Sequence, residues 1–202
     1  MNIFILIVLL AIIIYIIVLI YRKRKIVNAE HFNRIIMSEL EKRSKKEGFN
    51  SAEIENIMVG GHTYKIQKKF MNKNEAAKML HDINLDIQKL INYVSDKYSD
   101  QDNVKRLKKR YRVNKLVEVN PDNPDNSTSF VINKGKEIGF CLRNKPDINT
   151  FSKKNTVMYV ALHELAHLSS KSYGHNKEFS DNFKFLLDEA EKCGIYKSTD
   201  FS

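Results

Sequence analysis

The stretch His163-Glu164-Leu165-Ala166-His167 decides how this 202-residue chain is interpreted. It follows an apolar run, residues 156–162, which contains no Pro or Gly and therefore predicts a helix buried on most sides, with Asn155 as its N-cap. Two imidazoles four residues apart project from the same face of a helix. They can therefore bind one metal ion, with Glu164 beside it as a candidate general base.

A Gly-His pair lies a short distance downstream, at Gly174-His175. A glycine before a histidine allows the chain to leave one helix, turn sharply and return a third imidazole to the metal. Apolar residues then recur at helical spacing and Gly194 provides a stop, so we predict a helix, a turn and a second helix. His175 is the predicted third ligand, with Glu178 and Asp181 as substitutes.

Three neutral imidazoles leave the fourth position of a tetrahedral Zn²⁺ site to water, which distinguishes a catalytic site from a structural one. The metal lowers the pKa of bound water towards about 7, and Glu164 can accept the proton as hydroxide attacks a carbonyl carbon. This chemistry is metal-assisted peptide hydrolysis. The transition-state oxygen needs a hydrogen-bond donor, and the sequence offers four candidates without ranking them: Tyr111, Tyr173, Tyr196 and Arg143.

The competing interpretation is that the histidines are satisfied core or surface residues, since a lone histidine on an apolar helix face is usually not a ligand. The glutamate between the two histidines and the Gly-His pair after them favour the metal site. The remaining histidines, His31, His62 and His81, lie in charged or polar surroundings, so we interpret them as ordinary surface residues.

The run from Asn155 to Tyr196 resembles the WLM and SprT-like zinc metallopeptidases, whose HExxH motif is followed by a Gly-His segment and a phenylalanine. Residues 131–143 also resemble the WLM type, in which strands lead to the active-site helix. The resemblance implies His163, His167 and His175 as zinc ligands and Glu164 as the catalytic base. Similar domains are encoded by large DNA viruses, a source that suits an Asn-, Lys- and Ile-rich chain, and cellular relatives act on proteins crosslinked to DNA.

Residues 3–21 carry no charge, no Pro and no Gly. At about 1.5 Å per residue, this run spans about 28 Å as a helix, close to the hydrocarbon thickness of a bilayer. A cleaved signal peptide is the alternative, but Arg22-Lys23-Arg24-Lys25 stands where a small-residue cleavage site would be. Basic residues stay on the cytoplasmic side, so we expect a single-pass anchor with the N-terminus outside and the rest facing the cytosol or a virion interior.

The net charge is +10, and all charged residues lie outside the apolar run. The strongest basic segment, residues 105–112, carries Leu107 and Tyr111 four residues apart, so the favoured interpretation is the solvated face of a packed helix. Nucleic-acid binding through phosphates is the less favoured alternative. The two cysteines, Cys141 and Cys193, are too few for a disulfide scaffold, which argues against a small disulfide-stabilised secreted domain.

Three further segments complete the organisation. Residues 22–61 are charged and weakly periodic up to the break at Gly60-Gly61, so we interpret them as a basic juxtamembrane stalk. Residues 74–98 carry an apolar stripe at helical spacing, which predicts a helix packed behind the metal-binding helix. Short strands are expected within residues 111–119, 129–132 and 137–143.

We therefore predict an α+β fold: a transmembrane helix at residues 1–21, the stalk, and one zincin-like metallopeptidase domain at residues 62–202 with a small antiparallel sheet flanked by helices. A protein or peptide substrate is expected to pair in extended form with the exposed sheet edge beside the metal. The predicted function is that of a membrane-anchored zinc metallopeptidase. The alternative is a membrane-anchored binding or structural protein that retains this fold and contacts nucleic acid through its basic surface.

Overall fold

The computed structural model describes residues 53–121, 129–132, 135 and 137–198. The predicted membrane anchor at residues 1–21 and most of the predicted stalk lie outside these described residues. Within the described ranges, no helix is both long enough and apolar enough to cross a membrane.

Five strands and four helices lie along the described residues, with strands and helices grouped in separate runs, which confirms the α+β class. In chain order they are β1 Ile54–Val59, β2 His62–Gln67, α1 Lys73–Lys97, α2 Asp102–Arg110, β3 Leu116–Glu118, β4 Ser129–Ile132, β5 Glu137–Phe140, α3 Lys154–Ser169 and α4 Lys177–Lys192.

The five strands form one mixed sheet in the order β1-β2-β3-β5-β4. The outer pairs, β1 with β2 and β4 with β5, are antiparallel, whereas β3 is parallel to both β2 and β5. The prediction of an antiparallel sheet is therefore wrong. The physical reason is the connection from β2 to β3, which passes through α1 and α2, because a helical crossover returns the chain in the same direction. β4 is an edge strand.

Strand β1 lies in the segment that the sequence assigned to the stalk. It pairs with β2 along its whole length, from Ile54 opposite Gln67 to Val59 opposite His62. Gly60 and Gly61, with positive φ angles of 58° and 77°, form the turn between the two strands. The predicted domain start at residue 62 is thus too late, because the Gly-Gly pair is a hairpin turn inside the domain.

Helix α1 provides the main apolar wall. It contacts both β2 and α3, which confirms the predicted packing behind the helix that carries the motif. The stripe predicted from helical spacing is buried, and its fully buried members are Leu80, Ile83, Ile87, Leu90 and Val94.

A buried ion pair joins the sheet to the chain after β5. Arg143 Nε donates to Glu118 Oε1 at 2.6 Å, and both side chains are completely buried. The guanidinium lies between two aromatic rings, 4.7 Å from the centroid of Phe70 and 4.9 Å from that of Phe151. The second carboxylate oxygen of Glu118 accepts from the backbone N–H of Gln67 at 3.0 Å. Arg143 is thus used to neutralise Glu118 in the core.

Arg143→Met should lower the free energy of unfolding by about 3–5 kcal/mol, because it leaves the Glu118 charge buried without its cation. The double variant Arg143→Met/Glu118→Gln should lose less, since it removes both charges. The chain contains no Trp, so urea unfolding is best followed by circular dichroism. Equal losses in the single and double variants would contradict this account.

Candidate metal centre

The structure brings the three predicted histidine ligands together. His163 and His167 project from the second half of α3, and His175 lies in the loop that precedes α4, after Gly174 with a φ of 82°. The ring nitrogens available for a metal all lie within 4.8 Å of one another. His163 Nε2 and His175 Nε2 are 3.1 Å apart.

This arrangement fits a divalent metal ion. Two nitrogens bound to one tetrahedral Zn²⁺ lie about 3.3 Å apart, given Zn–N distances of about 2.0–2.1 Å. Burial, together with the smaller effect of the neighbouring imidazoles of His167 and His175, lowers the pKa of His163 to about 2. His163 is therefore neutral at physiological pH, which is the form that binds a metal.

Phe179 forms the apolar floor of the cluster. Its ring centroid lies 4.9 Å from that of His163, 4.4 Å from that of His167 and 4.6 Å from that of His175, and the side chain is fully buried. Phe183, one turn along α4, lies 5.5 Å from His163. The aromatic residues of α4 therefore limit the orientations of all three imidazoles.

Glu164 is buried beside the histidines and has one defined partner. Ser129 Oγ, at the start of the edge strand β4, donates to Glu164 Oε1 at 2.5 Å. Burial raises the pKa of Glu164 to about 7, and the hydrogen bond from Ser129 opposes this shift. A carboxyl group with this pKa can accept or release a proton near neutral pH, as a general base must. No sequence pattern marks Ser129 beyond its place in a predicted strand.

The four candidate transition-state donors lie in different surroundings. Tyr173 is 82% exposed and sits two residues before His175. The ring centroid of Tyr196 lies 6.2 Å from that of Tyr159, and the ring centroid of Tyr159 lies 5.4 Å from that of Phe183.

The other two donors are engaged elsewhere. Tyr111 Oη donates to Asn84 Oδ1 at 2.5 Å, and Arg143 is bound to Glu118. Tyr111 and Arg143 are therefore not the donors that the sequence suggested, because a phenol or a guanidinium buried in the core needs a polar partner there.

Several other sequence-based assignments are resolved by contacts. Glu178 accepts hydrogen bonds from the loop before His175, and Asp181 pairs with Lys177 at 2.7 Å, so neither substitutes as a ligand in this cluster. Helix α3 begins after Lys153, and the Asn155 side chain instead bonds the backbone of Lys197.

Two of the remaining histidines have polar partners of their own. His62 Nδ1 lies 3.1 Å from Asn114 Oδ1, and His81 Nδ1 lies 3.0 Å from Tyr64 Oη. Among the residues that the structure describes, the cluster of His163, His167 and His175 is the only group of three or more potential metal ligands. His31 lies outside the described ranges.

The WLM domain family model matches residues 59–201. The chain belongs to the WLM domain family. An uncharacterized protein of Acanthamoeba polyphaga mimivirus is 35% identical over 133 residues, which is 64% of this chain and 66% of that protein. An uncharacterized protein of Invertebrate iridescent virus 6 is 41% identical over 73 residues, or 35% of this chain and 40% of that protein. The chain thus spans less than two thirds of the length of these curated relatives.

The crystal structure of Wss1 from Saccharomyces cerevisiae is similar to this WLM domain with a TM-score of 0.49 and 21% identity, over 63% of this chain and 85% of that one. The family match confirms the WLM part of the predicted resemblance, and WLM is a metallopeptidase family. The viral relatives agree with the source suggested by composition.

We predict that the WLM domain binds about one divalent metal ion per chain, which elemental analysis of the full-length protein measures. His175→Ala should reduce the metal content, because only two of the clustered imidazoles remain. His62→Ala is the matched control, since that imidazole bonds Asn114 outside the cluster. A folded parent protein without metal, or equal losses in the two variants, would refute the metal centre.

Proposed function

We propose that this WLM domain is a zinc-dependent peptidase that hydrolyses peptide bonds in protein substrates. The observation that carries the proposal is the meeting of three imidazoles, within 4.8 Å of one another, with the buried carboxyl of Glu164 next in sequence to His163. A purely structural zinc site usually has four protein ligands and leaves no open position. Three histidines beside a titratable carboxyl fit a catalytic site better.

Each residue of the site has a distinct role in this proposal. His163, His167 and His175 would hold Zn²⁺, which when bound supplies a Lewis acid that polarises the scissile carbonyl and acidifies water. Glu164 accepts a proton from the attacking water and later donates it to the leaving amine. Ser129 holds the Glu164 carboxyl in one orientation through its hydrogen bond.

The position of Glu164 also suggests where a substrate lies. Ser129 belongs to β4, one of the two edge strands of the sheet, and its hydroxyl contacts the carboxyl of Glu164. An extended peptide added to this edge would run beside the proposed base. Pairing of the substrate with the sheet edge stays a prediction, with β4 as the strand concerned.

Glu164→Gln should abolish proteolysis while leaving the metal content unchanged, because glutamine keeps the shape of the side chain and cannot act as a base. The rate of casein digestion by the full-length protein should fall by about 10²–10⁴-fold. Glu191→Gln is the control, since that carboxylate lies at the far end of α4 and bonds the backbone of Ser198. A parent protein that binds metal but shows no proteolysis would favour the alternative, a binding or structural protein that retains the fold.

We also propose that residues 1–21 anchor this domain in a membrane, with the catalytic domain facing the cytosol or a virion interior. The support is the uncharged apolar run followed by Arg22-Lys23-Arg24-Lys25.

The full-length protein should stay with the membranes during alkaline carbonate extraction. Deleting residues 1–21 should release it into the soluble fraction, because the apolar run that enters the bilayer is lost. The acceptor sequence Asn126-Ser127-Thr128 reports orientation, and it should stay unmodified in eukaryotic cells if the domain faces the cytosol. A mass shift removed by peptide N-glycosidase would show the opposite orientation.

A further inference from the structure

Two arginines of the basic segment point into the protein. Arg106 Nε donates to the carbonyl of Ser169 at 2.7 Å. Arg110 Nη1 donates to the carbonyls of Leu168 and Ser170, at 2.8 and 2.6 Å. The last carbonyls of a helix have no partner within the helix, and its C-terminus favours a positive charge. These two side chains therefore cap the end of α3, directly after His167.

Glu178 holds the loop that follows. Its carboxylate accepts from the backbone N–H groups of Lys171 and Ser172, at 2.9 and 3.2 Å, and from Ser172 Oγ at 2.7 Å. These hydrogen bonds, the one from Lys171 first, lower the pKa of Glu178 to about 2. Arg106 Nη2 lies 3.4 Å from Glu178 Oε1. Arg106 thus links the end of α3 to the residue that binds the loop.

The loop needs such contacts to place the third histidine. None of the residues from Lys171 to Gly174 is buried, and Tyr173 is 82% exposed. Apolar packing therefore contributes little to the position of this segment. The segment nevertheless determines where His175 lies, because Gly174 directly precedes His175 in the chain. Glu178 lies in the first turn of α4, only three residues beyond His175. Its hydrogen bonds to Lys171 and Ser172 therefore hold the start of the loop close to the end that carries His175.

We propose that Glu178 and Arg106 form a positioning pair that fixes the loop carrying His175 and thereby sets the metal affinity of the cluster. The proposal rests on the zinc site of the proposed function. Neither residue belongs to the cluster of ligands, so the pair acts on the metal through His175. Glu178 is therefore a positioning residue and not the substitute ligand that the sequence suggested.

The first test measures the zinc affinity of the full-length protein in detergent, by competition with a chromophoric chelator. Glu178→Ala should weaken zinc binding by about 10–100-fold, the usual effect of removing a group that orients a ligand. The matched control is Glu191→Ala. Glu191 is also a carboxylate on α4 that accepts a backbone N–H, from Ser198 at 2.7 Å, but it lies at the other end of the helix, so zinc affinity should be unchanged.

A double-mutant cycle separates positioning from general destabilisation. In a His175→Ala background, adding Glu178→Ala should weaken zinc binding no further, because the pair has no ligand left to position. The same additional weakening as in the parent would overturn the proposal. Arg106→Met should change zinc affinity in the same direction as Glu178→Ala. If Glu178→Ala does not fold by circular dichroism, Glu178→Gln replaces it, because the amide oxygen keeps one acceptor while the charge is lost.

The outcomes distinguish the two proposals. If the parent binds zinc and Glu178→Ala does not change the affinity, the positioning pair is overturned and the proposed peptidase is not. A folded parent that binds no zinc overturns both. The Co²⁺-substituted protein gives a second readout: its visible absorption should keep the intensity of tetrahedral coordination in Glu191→Ala and lose it in Glu178→Ala.

Discussion

The need to provide hydrogen-bond partners for the buried polar groups at the C-terminal end of α3 governs this structure. His163 and Glu164 are 5% and 4% exposed, and the carbonyls of residues 168–170 end the same helix. Each buried polar group costs free energy unless it finds a partner. The partners come from separate parts of the chain: Ser129 from the sheet edge, and Arg106 and Arg110 from α2. The surrounding elements thus offset the cost of burying the polar groups of α3.

Local patterns in the sequence were enough to predict the helices and the histidine cluster. The stripe of α1 and the HExxH stretch depend on spacings within one helix, and these survive in the fold because neighbouring turns contact each other directly. The Gly-His pair was informative for a similar reason, since Gly174 adopts a positive φ that few other residues tolerate. His175 could therefore be placed near the motif without knowledge of the rest of the chain.

Contacts between distant segments could not be predicted in the same way. The parallel pairing of β3 depends on where a long helical connection returns, and β1 has little alternation to mark it as a strand. Arg143 and Tyr111 looked available for chemistry because their partners, Glu118 and Asn84, lie 25 and 27 residues away. Side chains that are bonded across the fold give no local signal in the sequence, and Ser129 was missed on the same grounds.

The inward orientation of Arg106 and Arg110 changes the electrostatics of the molecule's exterior. Of the cations in residues 105–112, Lys105, Lys108, Lys109 and Arg112 are exposed, whereas these two arginines are half-buried against helix carbonyls. On duplex DNA, each phosphate that a protein neutralises adds about −0.9 to the slope of log affinity against log salt concentration. A polyanion on this face would therefore release fewer counterions than the linear charge density of the segment suggests, and its attraction would be correspondingly weaker.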